Sequence, residues 1–179
     1  MNNVNSKDVL LKNVDKNNLD IFLSIYKEAS LFSAMYKSMD GLWDTMKYNL
    51  LNNFYSESTY TNLICSTTDD IVYGLIQLEY CDSDMPSINI SLRPQFRGLG
   101  IGKKASKLFV DKIFDQFEYE PIRWEAFKST ETSIKIAQSL GGIASEELGD
   151  VAQYLKSLSD AIDKELEINT VHFIISRSN

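Results

Sequence analysis

The spacing of hydrophobic positions changes along the chain and predicts which segments are strands and which are helices. Runs rich in β-formers predict strands over residues 9–14, 60–66, 71–80, 87–92, 121–127, 143–148 and 171–175. Apolar residues at helical spacing predict helices over 18–30, 31–55 (broken near Asp40-Gly41), 131–140 and 150–164, and one from the glycines after residue 97 to about 118. Polar turns at 67–70 and 81–86 join three strands into an antiparallel meander.

This order of elements predicts an α/β (α+β) sandwich, in which helices pack on a mixed sheet. The chain has 179 residues and contains no repeat or linker, so we expect a single domain over residues 1–179. No stretch reaches the ~20 apolar residues of a membrane span, and the first residues lack the apolar core of a signal peptide. We therefore expect a cytoplasmic protein that has no membrane partner.

Charge and composition narrow the function classes further. The net charge of −7 argues against nucleic-acid binding and suits a cationic substrate. One histidine and two cysteines are too few for the usual zinc sites, so no metal is expected. Cys65 is predicted to lie opposite residue 72 and far from Cys81, which argues against a disulfide. Both thiols, and His172 in an apolar strand, are interpreted as buried structural residues.

The segment that most clearly indicates a ligand-binding site joins the strand ending at Leu92 to the helix that follows. Three glycines, at 98, 100 and 102, let the backbone approach a ligand closely, and unpaired N–H groups at the helix start favour a phosphate. Arg97, Lys103 and Lys104 add positive charge. The alternative is a glycine-rich tight turn without a ligand. The glycine spacing fits neither a Walker A loop nor a Rossmann fingerprint.

This segment resembles motif A of the GNAT acetyltransferase superfamily. Arg97-Gly98-Leu99-Gly100-Ile101-Gly102 matches the motif, and Leu92-Arg93-Pro94 matches its lead-in. Residues 133–141 resemble the second cofactor motif of the family. Two departures stand out, because Thr130 replaces the usual Asn and Ala137 replaces a Tyr that protonates the leaving thiolate. In these departures the chain resembles the RimJ/RimL-like branch.

The resemblance implies a mainly antiparallel central sheet with helices on both faces, acetyl-CoA as cofactor, and acyl transfer to an amine. It implies that the Leu92 N–H binds the thioester oxygen at a gap between two strands. The cofactor-binding residues that it implies are Leu92, Arg93, Arg97, Gly98, Leu99, Gly100, Ile101, Gly102, Lys103, Thr130 and Ser133.

The residues near the expected substrate cleft are the candidates for binding and deprotonating the acceptor amine. Glu79, expected across from Ile88, is the first candidate for the base that deprotonates the amine, and Asp84 and Asp82 are the second. A solvated strand-end carboxylate is the alternative for Glu79. The candidate substrate-binding residues, which alternatively belong to the core, are Tyr36, Asp40 and Trp43.

Two functions follow from the sequence. The first is an N-acetyltransferase that acts on a small amine or a protein N-terminus by direct attack in a ternary complex. The second is a non-catalytic acyl-CoA-binding or regulatory module, which the missing Tyr and Asn favour. Transfer of a longer acyl group is a third possibility, and a homodimer is expected by resemblance.

Overall fold

The computed structural model describes residues 9–30, 33–38, 40–119, 121–146, 153, 156 and 169–177. The strands are β1 Val9–Asn13, β2 Thr59–Ser66, β3 Val72–Glu79, β4 Ser87–Leu92, β5 Ile122–Phe127, β6 Ile143–Ser145 and β7 Thr170–Ile175. The helices are α1 Leu19–Ala29, α2 Ser33–Ser38, α3 Leu42–Tyr55, α4 Ile101–Gln116 and α5 Glu131–Ser139.

The strands form one sheet in the order β1-β2-β3-β4-β5-β7-β6. Every neighbouring pair is antiparallel except β4 and β5, which are parallel. The parallel pair is short, because only Ser87 with Arg123 and Ile88 with Trp124 are partners. The sheet is therefore open between β4 and β5 beyond those residues.

Strand periodicity divides the core into two clusters on opposite faces of the sheet. Ile64 and Ile76 face α4 and α5, whereas their neighbours Leu63 and Leu75 pack against α1, α2 and α3. Helices thus cover both faces, as the resemblance predicted. The predicted break in the second helical segment is also confirmed, since Gly41 begins α3 with a left-handed backbone at φ +75°.

The two cysteines are more exposed than the sequence predicts. Cys65 does lie opposite Val72, and both cysteines are free, but both are half-buried and not buried. Their positions explain this exposure, since Cys65 follows a register shift in β2 and Cys81 begins the turn after β3.

The predicted helix over 150–164 lies outside the described residues except at 153 and 156.

Two absences concern the described part of the chain alone. None of its helices is long and apolar enough to cross a membrane. The same residues contain no group of three or more His, Cys, Asp or Glu side chains that could hold a metal ion.

Candidate functional site

The connection from β4 to α4 exposes backbone N–H groups at the start of a long helix. A 3-10 turn, Pro94–Phe96, follows β4, and then Gly98 and Gly100 adopt φ of +75° and +78°. The first helical hydrogen bond runs from the N–H of Lys104 to the carbonyl of Gly100 at 3.2 Å. The N–H groups of residues 101–103 are therefore left to a ligand or water.

The space above this turn suits an anionic group. Nothing lies within 4 Å of a Cβ built on Gly98 or Gly100, so the backbone is open to an approaching ligand. Gly102 instead faces inward, where a Cβ would lie 3.4 Å from Leu92 Cδ1. Leu99 is exposed and Ile101 is buried, which anchors one side of the turn in the core. These residues fit a pyrophosphate, because the helix start carries Lys103 and no acidic residue.

The two arginines of the motif are directed to backbone carbonyls. Arg97 donates from Nε to the carbonyl of Leu92 at 2.9 Å and from Nη2 to that of Ala29 at 3.2 Å. Arg93 donates to the carbonyl of Val72 at 3.2 Å and pairs with Glu28 at 3.4 Å. Both side chains therefore tie the turn to α1 and β3.

The Leu92 N–H points toward the gap between β4 and β5. Arg93 donates its N–H to the carbonyl of Tyr73 on β3 at 3.0 Å. Backbone groups of successive strand residues point in opposite directions, so the N–H of Leu92 faces the β5 side. β5 is paired with β4 only as far as Ile88. The Leu92 N–H thus lies where the sheet is open, at the same end of β4 as the glycine turn.

Gly74 fixes this end of β4, and sequence reasoning missed it. A Cβ built on Gly74 would lie 2.2 Å from the Ser91 carbonyl oxygen and 2.9 Å from Leu92 Cα. No side chain fits there, so β3 and β4 approach each other closely beside the Leu92 N–H. A lone glycine within a predicted strand was the available signal for a close approach.

The second motif lies at the start of α5, next to β5. Thr130 begins α5 and is exposed, and its side chain makes no capping hydrogen bond. Ser133 Oγ accepts a hydrogen bond of 3.0 Å from the indole Nε1 of Trp124, which holds it against β5. Ala137 is fully buried in the core. The position at which many family members carry a Tyr therefore supplies no proton donor here.

Glu79 lies at the other end of β4 from Leu92. It pairs with Ser87 and not with Ile88, so the expected register was wrong by one residue. β3 ends at Glu79, one residue before the predicted end at Tyr80, because Tyr80 adopts a left-handed backbone with φ 60°. This difference shifts the pairing with β4. Five residues separate Ser87 from Leu92, roughly 17 Å along a strand. Glu79 Oε1 accepts a hydrogen bond of 3.3 Å from Asn89 Nδ2. Asp82 and Asp84 are exposed in the adjoining turn.

The predicted substrate residues lie among α1, α2 and α3. Tyr36 is buried, and its ring centroid lies 5.4 Å from that of the half-buried Trp43. Lys27 Nζ lies 5.2 Å from the Trp43 ring. Both aromatic rings belong to the second core cluster, whereas Asp40 is exposed. The structure therefore brings Tyr36 and Trp43 together as packing residues and leaves Asp40 apart.

Tyr26 lies close to this aromatic group and was not predicted. Burial raises the pKa of Tyr26 well above its ordinary value, and the nearby charges of Glu79, Tyr36 and Tyr80 raise it further. Glu79 and Tyr36 thus both raise the pKa of one buried phenol, although 43 residues separate them in the sequence.

The fold and the glycine turn between β4 and α4 are typical of one class of protein. Comparison with known proteins identifies that class. The model of the acetyltransferase (GNAT) domain family matches residues 9–143. The chain belongs to the GNAT acetyltransferase family. Comparison with curated protein sequences finds no significant match.

Solved structures of low sequence identity share the fold. Spermidine N-acetyltransferase from Vibrio cholerae, in complex with CoA and spermine, is similar with a TM-score of 0.69 at 11% identity. The match covers 95% of this chain and 96% of that one. A domain from Methanocaldococcus jannaschii has a TM-score of 0.66 at 15% identity, over 94% of this chain and 98% of that one.

Proposed function

We propose that this chain is an N-acetyltransferase that transfers the acetyl group of acetyl-CoA to a primary amine. The amine is a small molecule or a protein N-terminus, and it attacks directly in a ternary complex. One observation carries the proposal. The open N–H groups of residues 101–103 and the Leu92 N–H lie at the same end of β4, beside the gap in the sheet.

The donor side is assigned to the glycine turn and the gap. The N–H groups of Ile101, Gly102 and Lys103 would hold the pyrophosphate, and Lys103 would add a counter-charge. Acetyl-CoA supplies a thioester, an activated acyl group. The Leu92 N–H would donate to the oxygen on which negative charge develops, an interaction that can be worth about 3 kcal/mol. Gly74 supports that donor, because it lets β3 hold β4 at close range.

A cationic acceptor suits the rest of the chain. The net charge of −7 favours the approach of an ammonium group. The Vibrio cholerae neighbour was solved with spermine, and its name states spermidine acetylation. A polyamine is therefore the first acceptor to test. A cytoplasmic location and a homodimer remain predictions of the sequence.

The alternative, an acyl-CoA-binding module without catalysis, is favoured by one observation. Ala137 is fully buried where a Tyr would protonate the leaving thiolate in many relatives. The proton for the thiolate must then come from water or from another group. A thiolate is a tolerable leaving group near neutral pH, so this departure slows catalysis without excluding it.

Turnover separates the two functions. The purified chain is mixed with acetyl-CoA and, in turn, with spermidine, a monoamine and a peptide with a free N-terminus. We expect release of CoA thiol with at least one amine and a product heavier by one acetyl group. Acetyl-CoA binding without amine-dependent thiol release would establish the non-catalytic module. The same assay with succinyl-CoA and a longer acyl-CoA measures the acyl preference.

A further inference from the structure

A row of polar residues crosses the sheet on the face that packs against α1, α2 and α3. The strand registers place three of these side chains opposite one another on β2, β3 and β4, and three more on β5, β7 and β6. We call the six residues the polar row. Its members, from β2 to β6, are Thr61, Gln77, Asn89, Glu125, His172 and Ser145. Gln77 Nε2 donates to Thr61 Oγ1 at 3.1 Å within it.

Much of the polar row is withdrawn from solvent. Gln77 is 1% exposed and His172 is 4% exposed, and Glu125 is half-buried. Burial of polar groups costs free energy unless they are hydrogen-bonded. On the opposite face the adjacent positions are apolar, for example Ile88, Trp124 and Phe173. A core built for stability alone would favour apolar residues on both faces, so the polar row suggests a functional constraint.

The polar row crosses the gap in the sheet next to the last paired residues. Ile88 and Trp124 are the last partners of β4 and β5. The next residues are Asn89 on β4 and Glu125 on β5, and they flank the point where the strands separate. Asn89 precedes Leu92 by three residues, roughly 10 Å along a strand. An amine that enters the gap from this face therefore passes Glu125 on its way to the Leu92 end.

Glu125 and His172 are close cross-strand neighbours. Lys128 donates its N–H to the carbonyl of Asn169 at 2.9 Å, which makes those two residues a hydrogen-bonded pair. Pair types alternate along an antiparallel ladder, so Glu125 and His172 form a non-hydrogen-bonded pair. In such pairs the Cα atoms are about 4.5 Å apart and the side chains are close. Ser145 is the partner of His172 on the other side.

We propose that Glu125 and His172 together accept the proton that the acceptor amine loses. The proposal rests on the proposed function. The acceptor enters as an ammonium ion, its N–H bond breaks, and the proton passes to the Glu125 carboxylate at the gap. The electron pair stays on nitrogen and forms the new bond to the acyl carbon. The C–S bond of the thioester breaks, and CoA leaves as a thiolate that takes up the second proton of the nitrogen through water. His172 relays the proton from Glu125 to water, so the pair ends each turnover unchanged.

The chemistry of the two groups suits this role. An imidazole takes up and releases a proton near neutral pH, and a carboxylate beside it holds its orientation. Arg123 is the other charged side chain on this face of β5, and β6 contributes the uncharged Ser145 opposite His172. Glu79 is on the same face of the sheet but level with Ser87, two residues further from Leu92 than Asn89 is.

The kinetic test compares Glu125→Gln, His172→Gln and the double variant with Asp111→Asn as the control, because Asp111 is an exposed carboxylate on α4 that pairs with Lys107. Each variant is first checked for a folded circular dichroism spectrum and for wild-type affinity for acetyl-CoA. We expect Glu125→Gln to lower kcat/KM at least 100-fold and to remove the limb of the pH profile that reports the proton acceptor. His172→Gln should lower it about tenfold or more, and the double variant should lose little beyond Glu125→Gln. Wild-type pH profiles in both single variants would overturn the proposal.

A spectroscopic test remains informative if no amine turns over. His172 is the only histidine, so its ring ¹⁵N signals are assigned without ambiguity. We expect Glu125→Gln to change the tautomer populations of the imidazole, whereas Asp111→Asn leaves them unchanged. Unchanged His172 signals in Glu125→Gln would contradict the pairing. If the signals do change but the wild-type chain releases no thiol with any amine, the pairing stands, and both the proposed function and this proton-acceptor role are wrong.

Discussion

Helices α3 and α4 begin in the same way but in different surroundings. Each starts at a glycine with a left-handed backbone, Gly41 at φ +75° and Gly100 at +78°. At both glycines, nothing lies within 4 Å of a built Cβ. The first turn of α3 contains Asp44, whereas that of α4 contains no acidic residue. α4 alone begins beside the gap between β4 and β5.

The comparison shows that a glycine at a helix start is not sufficient for an anion site. Asp44 already offsets the positive end of the α3 dipole, and it would repel a phosphate there. At α4 the dipole meets Lys103 and Lys104, and a second open glycine precedes it. The surroundings of the helix start, and not the capping residue itself, distinguish the candidate donor site.

The largest effect is expected when the two capping glycines are changed in the same way. Gly100→Glu places a carboxylate at the open start of α4, and we expect acetyl-CoA affinity to fall at least 100-fold in calorimetry. Gly41→Glu introduces the same charge and the same backbone strain at α3, and it should leave the affinity unchanged. Both variants should lose about 1 kcal/mol of unfolding free energy, because a non-glycine residue is strained at positive φ.

Equal losses of affinity in these two variants would remove the distinction between the helix starts. The Gly100→Glu effect would then come from charge or from destabilisation of the whole chain. Urea unfolding of both proteins measures the second contribution directly.

The Arg97 variants separate charge from hydrogen bonding at the α4 turn. Arg97→Lys keeps the positive charge but cannot donate to the carbonyls of both Leu92 and Ala29. We therefore expect it to resemble Arg97→Gln, with a loss of about 1 kcal/mol in unfolding free energy and a similar loss of acetyl-CoA affinity. Wild-type affinity in Arg97→Lys and weak binding in Arg97→Gln would instead show that the charge is what matters.

Charge at the α4 start should contribute a smaller amount. We expect Lys103→Gln with Lys104→Gln to weaken acetyl-CoA binding about threefold to tenfold, less so at high salt because ions screen surface charges. Lys107→Gln is the control, since Lys107 lies one turn further along α4 and pairs with Asp111. The absence of any salt dependence in the wild-type titration would contradict this assignment.

The smallest effect concerns the thiols, which lie away from both helix starts. Burial raises the pKa of Cys65 and is the main cause of the raised pKa of Cys81. As pH rises, the unfolded chain therefore loses the thiol protons before the folded chain does. The contribution of the thiols to the free energy of unfolding is complete at neutral pH and declines as pH rises above about 8.5. We expect unfolding free energy to fall less between neutral pH and about pH 10 in Cys65→Ala with Cys81→Ala than in the wild type. An identical fall in both proteins would contradict these shifts.

The sequence predicted the elements that depend on local signals. Glycines and helical periodicity marked the start of α4, and Asp40-Gly41 marked the break before α3, because both depend on residues that are neighbours in the chain. The strand pairing around Glu79 was wrong by one residue, because a one-residue error in a strand boundary shifts the register.

The polar row could not be predicted from the sequence because of the order of the strands in the sheet. β7 lies between β5 and β6 in the sheet, although it follows both in the chain. His172 therefore meets Glu125, which is 47 residues earlier, through a pairing that no local pattern indicates. An isolated His in an apolar strand was interpreted as structural for lack of this partner. The roles of the Arg97 and Ser133 side chains were equally hidden, because their partners are a carbonyl on α1 and an indole on β5.

The most direct test of the donor site is an amide NMR titration of the ¹⁵N-labelled chain with acetyl-CoA. The account predicts saturable shifts of the N–H signals of residues 98–103 and of Leu92, while those of residues 41–44 at the start of α3 stay in place. Saturable binding that leaves the signals of residues 98–103 unmoved, or that shifts the α3 start instead, would contradict the assignment of the α4 turn as the acetyl-CoA site.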